Sequence, residues 1–85
     1  MAVDILYFAW VREAIGTGAE QVTPPDTVVS VADLIAWLSG RSEGHRRALA
    51  DPDRLRAAVD QRFVPLDATI AGAREIAIFP PVTGG

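Results

Sequence analysis

SVADLIAWLSG, residues 30–40, is the stretch of sequence that decides the fold. Ser30 is a favourable N-cap, and Asp33 stands at the third helical position, which is the spacing of a capping box. The apolar side chains that follow recur at helical spacing. They are Val31, Leu34, Ile35 and Leu38. The pattern predicts a helix over residues 31–39, ended by Gly40, with one apolar face that must pack against other elements.

Upstream of this helix, the pattern changes to that of β-strands. Residues 3–10 are apolar apart from Asp4, so we predict a first, mostly buried strand there. Alternation places Val3, Ile5 and Tyr7 on one face and Asp4, Leu6 and Phe8 on the other. Turn signals at Gly16 and Gly18 follow, and residues 20–22 are predicted as a short second strand that forms a hairpin with the first.

Downstream of the helix, residues 43–50 predict a second, weaker helix, and the chain then returns to strands. Residues 55–59 and 63–66 are predicted strands around a turn at Asp60-Gln61. In the last strand, residues 75–79, Ile76 and Ile78 face one way and Ala77 and Phe79 the other.

This order predicts an α+β fold in which a mixed sheet packs on one main helix. It has the outline of the β-grasp fold, although order and periodicity alone also fit other small α+β topologies. We predict a domain over residues 1–79 and an extended tail over residues 80–85.

Composition restricts the function. A chain of 85 residues fits one small domain and leaves little room for an enclosed active site. There is no cysteine, so any sulfur chemistry must use sulfur from outside the chain. The net charge of −3 argues against nucleic acid as a partner, and no apolar run is long enough to span a membrane. We expect a cytoplasmic protein. All eight basic residues are arginine, which fits either a compositional bias or a carrier that cannot acylate its own side chains.

The tail reads Pro80-Pro81-Val82-Thr83-Gly84-Gly85. Two prolines favour an extended path, so we expect the chain to leave the sheet and project from it. Glycines at the end have no Cβ, which lets the backbone pass through a narrow enzyme channel. The tail is therefore suited to present a terminal carboxylate to other enzymes.

Three segments carry a resemblance to a known family. The run FPPVTGG, residues 79–85, resembles the end of the molybdopterin synthase small-subunit family, whose members are β-grasp sulfur carriers. Residues 8–16 are similar to the family's F-A-x-x-R-E-x-x-G element, and residues 58–61 to its A-V-N-Q hairpin. Asp60 replaces the usual Asn, and residues 72–77 lack acidic residues that the family usually has at that turn.

The resemblance implies a mechanism centred on Gly85. An adenylating enzyme would use ATP and Mg²⁺ to activate the Gly85 carboxylate, and a sulfurtransferase relay would convert it to a thiocarboxylate. The tail, formed by Pro80, Pro81, Val82, Thr83 and Gly84 ahead of Gly85, would then insert into the synthase large subunit and deliver sulfur to a cyclic pterin monophosphate. The resemblance also implies a heterotetramer of two large and two small subunits. It assigns the catalytic side chains to the large subunit, which leaves this chain a carrier without a bound cofactor.

The contact surface for a partner is predicted from alternation. Phe8, Phe63 and Phe79 are each out of phase with predicted core residues, so they would form an exposed aromatic patch near the tail. The alternative places one or more of these rings in the core. Arg12 is a candidate to pair with a partner carboxylate, or equally a solvated helix residue. The single His45 has no second ligand nearby in the sequence, so we predict no metal site.

Three other functions stay open on the sequence alone. The first is a sulfur carrier for thiamine, cysteine or tRNA thiolation, which shares the Gly-Gly end. The second is a ubiquitin-like modifier that is conjugated to lysines of target proteins. The third is a plain interaction domain whose Gly-Gly end has no role.

Overall fold

A five-stranded mixed sheet packs against helices on one of its faces. The computed structural model describes residues 2–81. The strands lie in the order β2-β1-β5-β3-β4, with β1 and β5 parallel and the other neighbours antiparallel. Their bounds are β1 Val3–Tyr7, β2 Ala19–Val22, β3 Arg56–Val59, β4 Arg62–Val64 and β5 Glu75–Phe79. The predicted α+β arrangement, a mixed sheet on one main helix, is confirmed.

Three helices and one short 3₁₀ turn connect the strands. The helices are α1 Ala9–Ile15, α2 Val31–Ser39 and α3 Glu43–Ala48, and the 3₁₀ turn is Pro52–Arg54. The core lies between α2 and the inner face of the sheet, and its fully buried side chains include Ile5, Leu34 and Ile78. Burial of such a side chain contributes roughly 1.5–3 kcal/mol.

The capping box predicted for α2 is present. The Ser30 hydroxyl accepts a hydrogen bond from the Asp33 backbone N–H at 3.1 Å, and the Asp33 carboxylate accepts one from the Ser30 N–H at 3.2 Å. A further bond from the Val29 N–H reaches the same carboxylate. These backbone hydrogen bonds, from Val29 and Ser30, hold the pKa of Asp33 below its usual value. The helix therefore begins at the residue that the sequence predicts.

The first strand is shorter than predicted. It ends at Tyr7, not at Trp10, because the backbone turns at Ala9, where φ is +53°, and α1 begins there. Val11 is buried, and Ile15, four residues later, packs against the same core, which is helical spacing. The apolar run continues from the end of the strand into the start of the helix, so the sequence pattern does not show where the period changes from that of a strand to that of a helix.

Smaller differences occur at other ends. Strand β4 stops at Val64 where residues 63–66 were predicted, since Pro65 has no N–H to continue the ladder. Strand β3 begins one residue later than predicted, and α3 ends at Ala48 instead of residue 50. None of these changes which face a strand residue occupies.

The β3–β4 hairpin turn is linked to the start of β5. Asp60 and Gln61 both have positive φ, +49° and +71°, as a two-residue type I′ turn requires. The Asp60 Oδ1 atom accepts hydrogen bonds from the backbone N–H groups of Arg74 and Glu75, at 2.9 and 3.0 Å. The Asp60 N–H donates to the Glu75 carbonyl at 2.8 Å. One side chain thus holds the turn and the central strand together.

Candidate functional site

The base of the tail emerges from the middle of the sheet. Strand β5 lies between β1 and β3 and ends at Phe79, after which the chain continues through Pro80 and Pro81. Because β1 runs parallel to β5, the C-terminal end of β1 at Tyr7 lies at the same end of the sheet as Phe79, and Phe8 follows there. Segments that are about seventy residues apart in the sequence therefore meet at this end of the sheet.

The outer face of the sheet, away from the helices, has an apolar floor in which two alanines lie beside a leucine. Leu6 is paired in register with Ala77, and Ala77 with Ala58. Since alanine adds little bulk above the backbone, taller neighbours rise around this floor and enclose a shallow groove of about 680 Å³. We call it the outer groove, and Pro80 and Pro81 form part of its wall.

Three aromatic rings stand around the outer groove. Phe63 is 81% exposed and Phe8 is 48% exposed. Phe79 is partly buried, and its ring centroid lies 5.7 Å from that of Phe63 with the planes tilted by 49°. Exposed rings grouped on one apolar surface are typical of a protein contact site. The three phenylalanines thus lie together where alternation predicts them; their binding role stays a prediction.

Two residues that line the outer groove have an unusual backbone conformation. Ala9 and Gln61 adopt positive φ, at +53° and +71°. An L-residue with a side chain in this region costs about 1–2 kcal/mol. Such strain persists where the surroundings fix it, and it is concentrated at functional sites. The sequence gives no signal of it at Ala9.

Arg12 does not line the outer groove; it lies one helical turn after Phe8, whose carbonyl accepts the Arg12 backbone N–H. Its side chain is exposed and passes over Gly18, where a Cβ would be 3.1 Å from the Arg12 Nε atom. It forms no ion pair within residues 2–81. The contact of Arg12 with a partner carboxylate therefore stays a prediction.

The last four residues of the tail, which include the carboxylate of Gly85, lie outside the described residues. Val82, Thr83, Gly84 and Gly85 belong to that part, so their predicted roles stay predictions. Within residues 2–81, no group of His, Asp and Glu side chains could hold a metal ion. No helix in the same range is long and apolar enough to cross a membrane.

A buried polar network, which the sequence does not predict, lies on the helical side of β1. His45 is 8% exposed, and its Nε2 atom is 2.6 Å from the Glu20 Oε2 atom. The Tyr7 hydroxyl donates to the same carboxylate oxygen at 2.7 Å, and the Arg41 Nε atom is 3.4 Å from Glu20 Oε1. The Ser42 hydroxyl and the His45 Nδ1 atom are 2.7 Å apart. Three segments of the chain, namely β1, β2 and residues 41–45, meet at one carboxylate.

The network changes the acidity of two of its members. Burial acts to raise the pKa of Glu20, but the hydrogen bonds from His45 and Tyr7 and the electrostatic attraction of His45 and Arg41 outweigh it, so the pKa of Glu20 lies below its usual value. Burial, followed by the hydrogen bond to Glu20, raises the pKa of Tyr7 well above its usual value. Glu20 is thus held as a carboxylate and Tyr7 as a neutral donor.

The network explains what a lone histidine does in this chain. Sequence separations of 13 and 25 residues join Tyr7 and His45 to Glu20, and no local pattern reports contacts of that range. The available signal was indirect: Tyr7 falls on the inner face of β1, and a buried hydroxyl needs a partner. None of the network residues lines the outer groove, and we assign the network to stability.

Comparison with known proteins gives consistent results along the whole chain. The sequence profile of the ThiS family matches residues 5–85. The molybdopterin synthase sulfur carrier subunit of Escherichia coli is 39% identical over 83 residues, which cover 98% of this chain and 99% of that protein. The protein of the same name from Haemophilus influenzae is 36% identical over 85 residues, with 98% and 99% covered.

Solved structures agree with these sequences. A putative molybdopterin converting factor subunit 1 from Pyrococcus furiosus superposes with a TM-score of 0.74 at 27% identity, over 96% of this chain and 99% of that one. The small archaeal modifier protein 1 of Haloferax volcanii superposes with a TM-score of 0.71 at 23% identity, over 95% and 98%, and is similar in fold alone. The predicted β-grasp fold is confirmed.

Proposed function

The chain belongs to the ThiS family, and we propose that it carries sulfur on the C-terminal carboxylate of Gly85. It is the sulfur carrier subunit of a molybdopterin synthase, and the large subunit of that enzyme is its partner. The observation that best supports the role of Gly85 is the position of Pro80 and Pro81. They take the chain away from the central strand at the wall of an exposed aromatic groove, so a docked partner would receive the tail.

The proposed chemistry begins with activation. A free carboxylate is a poor electrophile, so an adenylating enzyme joins it to AMP from ATP, releases pyrophosphate and uses Mg²⁺ in doing so. Sulfur supplied by a sulfurtransferase at the oxidation level of sulfide then attacks the Gly85 carbonyl carbon, and AMP leaves. The product is a thiocarboxylate, in which one carboxylate oxygen has been replaced by sulfur. A thiocarboxylate is a soft nucleophile that needs no base from this chain.

Transfer takes place in the large subunit. The thiocarboxylate attacks a cyclic pterin monophosphate there, and hydrolysis returns Gly85 to a carboxylate, so two transfers complete one dithiolene. Proton transfers and phosphate binding belong to the large subunit, because residues 2–81 offer no convergent set of acid, base and cation around the outer groove. Gly85 acts as a co-substrate.

Docking relies on the outer groove. Phe8, Phe63 and Phe79 provide an apolar surface of the kind that forms the centre of protein interfaces. Arg12, one helical turn after Phe8, is a candidate for a polar contact. We propose a heterotetramer of two large and two small subunits. We place this assembly in the cytoplasm, where ATP and the sulfur relay are available.

Intact mass spectrometry tests the assignment of Gly85. The purified chain is incubated with the cognate adenylating enzyme, Mg-ATP and a sulfide source, and the expected mass gain equals the exchange of one oxygen for sulfur. A chain lacking Gly85 serves as the matched control and should show no gain. Absence of the gain in the intact chain with a competent adenylating enzyme would overturn the proposal. Adducts on lysines of other proteins would instead support a modifier, the alternative function.

A further inference from the structure

Two arginines lie at the root of the tail and form no ion pair within residues 2–81. Arg56 is paired in register with Phe79, the last residue before the prolines. Arg54 lies over the ring of Trp10, in the first turn of α1, with its guanidinium carbon 5.3 Å from the ring centroid. Phe79 and the start of α1 border the same end of the outer groove. We call Arg54 and Arg56 the root arginines.

Both guanidinium groups are held in place by contacts that leave donors available. The Nη1 atom of Arg56 donates to the Leu55 carbonyl at 2.8 Å and to the Asp53 carbonyl at 3.3 Å. Its other two nitrogens make no hydrogen bond in the part of the chain that the structure describes. Arg54 is held by the electrostatic attraction of the Trp10 ring, which does not consume N–H donors. Each group is thus pre-positioned for a bidentate acceptor.

A third arginine, Arg41, shows a guanidinium group that already has a carboxylate partner within this protein. Arg41 lies over Trp37 in a similar way, at 5.4 Å, but it also faces the Glu20 carboxylate at 3.4 Å. Neither Asp51 nor Asp53 plays that part for the root arginines, since no ion pair joins them. An oxygen of the Asp51 carboxylate instead accepts the Asp53 N–H at the start of the 3₁₀ turn. The root arginines have no anion of their own among the described residues.

We propose that the root arginines bind carboxylate side chains of the synthase large subunit and so fix the orientation in which it docks on the outer groove. This inference rests on the proposed function. The apolar rings alone allow the partner to approach in more than one direction, because hydrophobic contact is non-directional. Charge pairs at one end of the groove favour a single orientation of the partner and speed up association in that orientation. That end is the one from which the tail leaves.

A protein carboxylate fits this site better than a nucleic acid. The chain as a whole carries a formal charge of −3, which opposes the approach of a phosphate backbone. Arg56 also adjoins the apolar surface that Phe63 and Phe79 form, and a charged rim around an apolar centre is the usual plan of a protein interface. The partner is therefore expected to carry acidic residues beside an apolar patch.

Association kinetics test the proposal. The large subunit from the same organism is mixed with the wild-type chain and with Arg54→Glu/Arg56→Glu, across a range of salt concentrations. The matched control is Arg46→Glu/Arg47→Glu, which makes the same charge change on exposed positions of α3 away from the groove. At low salt we expect the root variant to associate at least about tenfold more slowly than the control, and the two to converge at high salt.

A second variant guards against misfolding and tests geometry. Arg54→Lys/Arg56→Lys keeps the charge, so its association rate and salt dependence should stay near wild type. It should dissociate severalfold faster, since lysine cannot bind a carboxylate bidentately. Thermal unfolding of all variants checks that the fold is retained.

The other outcomes are distinct. Equal effects of the root and control variants would overturn the proposal while leaving the sulfur-carrier function in place. A defect confined to adenylation with ATP, with normal binding of the large subunit, would also overturn it and point to a nucleotide phosphate as the ligand. Failure of the wild-type chain to bind the large subunit would contradict the proposed function, and this inference with it.

Discussion

The Nε2 atom of His45 lies 2.6 Å from the Oε2 atom of Glu20, although the two residues are 25 positions apart in the chain. This contact joins helix α3 to the edge strand β2. The same oxygen also accepts the Tyr7 hydroxyl, so the carboxylate links the edge strand to the neighbouring strand as well. A polar contact on an exposed surface contributes little, but this contact is largely shielded from water and the Glu20 carboxylate is hydrogen-bonded on several sides.

Stability should fall in acid because of Glu20. Its pKa is lowered in the folded protein, so the folded state binds the proton less tightly than the unfolded state, whose value is near 4.5. The contribution is complete above that value and is lost as the pH falls below it, through the lower folded pKa. We predict that Glu20→Gln costs about 1–3 kcal/mol at neutral pH and that this cost shrinks in acid.

Urea unfolding at several pH values measures this. The free energies of unfolding of wild type and Glu20→Gln should converge as the pH is lowered from neutral to well below 4.5. The Asp33 carboxylate, whose pKa is also lowered, is present in both proteins and so cancels in the difference. Parallel curves across that range would contradict the role given to Glu20.

The Asp60 side chain should stabilise the fold through the hydrogen bonds that its Oδ1 atom accepts, and not through its charge. Asp60→Ala removes the partner of the Arg74 and Glu75 N–H groups and is expected to cost about 1–2 kcal/mol. Asp60→Asn keeps an oxygen at Oδ1 and tolerates positive φ, so it should stay within about 0.5 kcal/mol of wild type. Chemical denaturation of the two variants distinguishes them, and equal losses would show that charge matters here instead of the acceptor.

Glycine at position 61 should stabilise the protein. Gln61 has φ of +71°, and the Asp-Gly pair is a preferred sequence for this type of turn. Gln61→Gly relieves a cost of about 1 kcal/mol, partly offset by the greater freedom of glycine in the unfolded chain. Gln61→Ala removes the same side chain but keeps the left-handed strain, so it should bring no gain. A rise in melting temperature for Gly alone is the expected result.

Gly44 should tolerate no side chain. A Cβ at this position would lie 2.5 Å from the backbone carbonyl oxygen of Ala14, so α3 would have to move away from α1. We expect Gly44→Ala to lose about 1–3 kcal/mol of stability through overpacking. Gly40→Ala is the control, because its Cβ would be 3.6 Å from the nearest atom and its φ is negative. Similar stabilities of the two variants would mean that the helices separate at little cost.

Sequence reasoning succeeds where local periodicity determines structure. The helical spacing after Ser30 predicts α2 from its cap to its last residue, and alternation correctly places Phe63 on the open face of the sheet. It fails where two periods overlap, as at Ala9, where an apolar run passes from strand to helix. It also fails for contacts between distant segments, such as the one between Glu20 and His45, because nothing within a short window reports them.

The exposed ring of Phe63 allows binding and stability to be separated. Because Phe63 is 81% exposed and its main contact is the ring of Phe79, Phe63→Asn should lower the free energy of unfolding by no more than about 1.5 kcal/mol. A ring at the centre of an interface is instead a typical hot spot, so affinity for the large subunit should fall about tenfold or more. Val29 is the matched control: it is 59% exposed and lies outside the lining of the outer groove. Titration calorimetry should show normal affinity for Val29→Asn. Equal losses from both variants would place the docking surface elsewhere, whereas a loss confined to Phe63→Asn would assign it to the face from which the tail emerges.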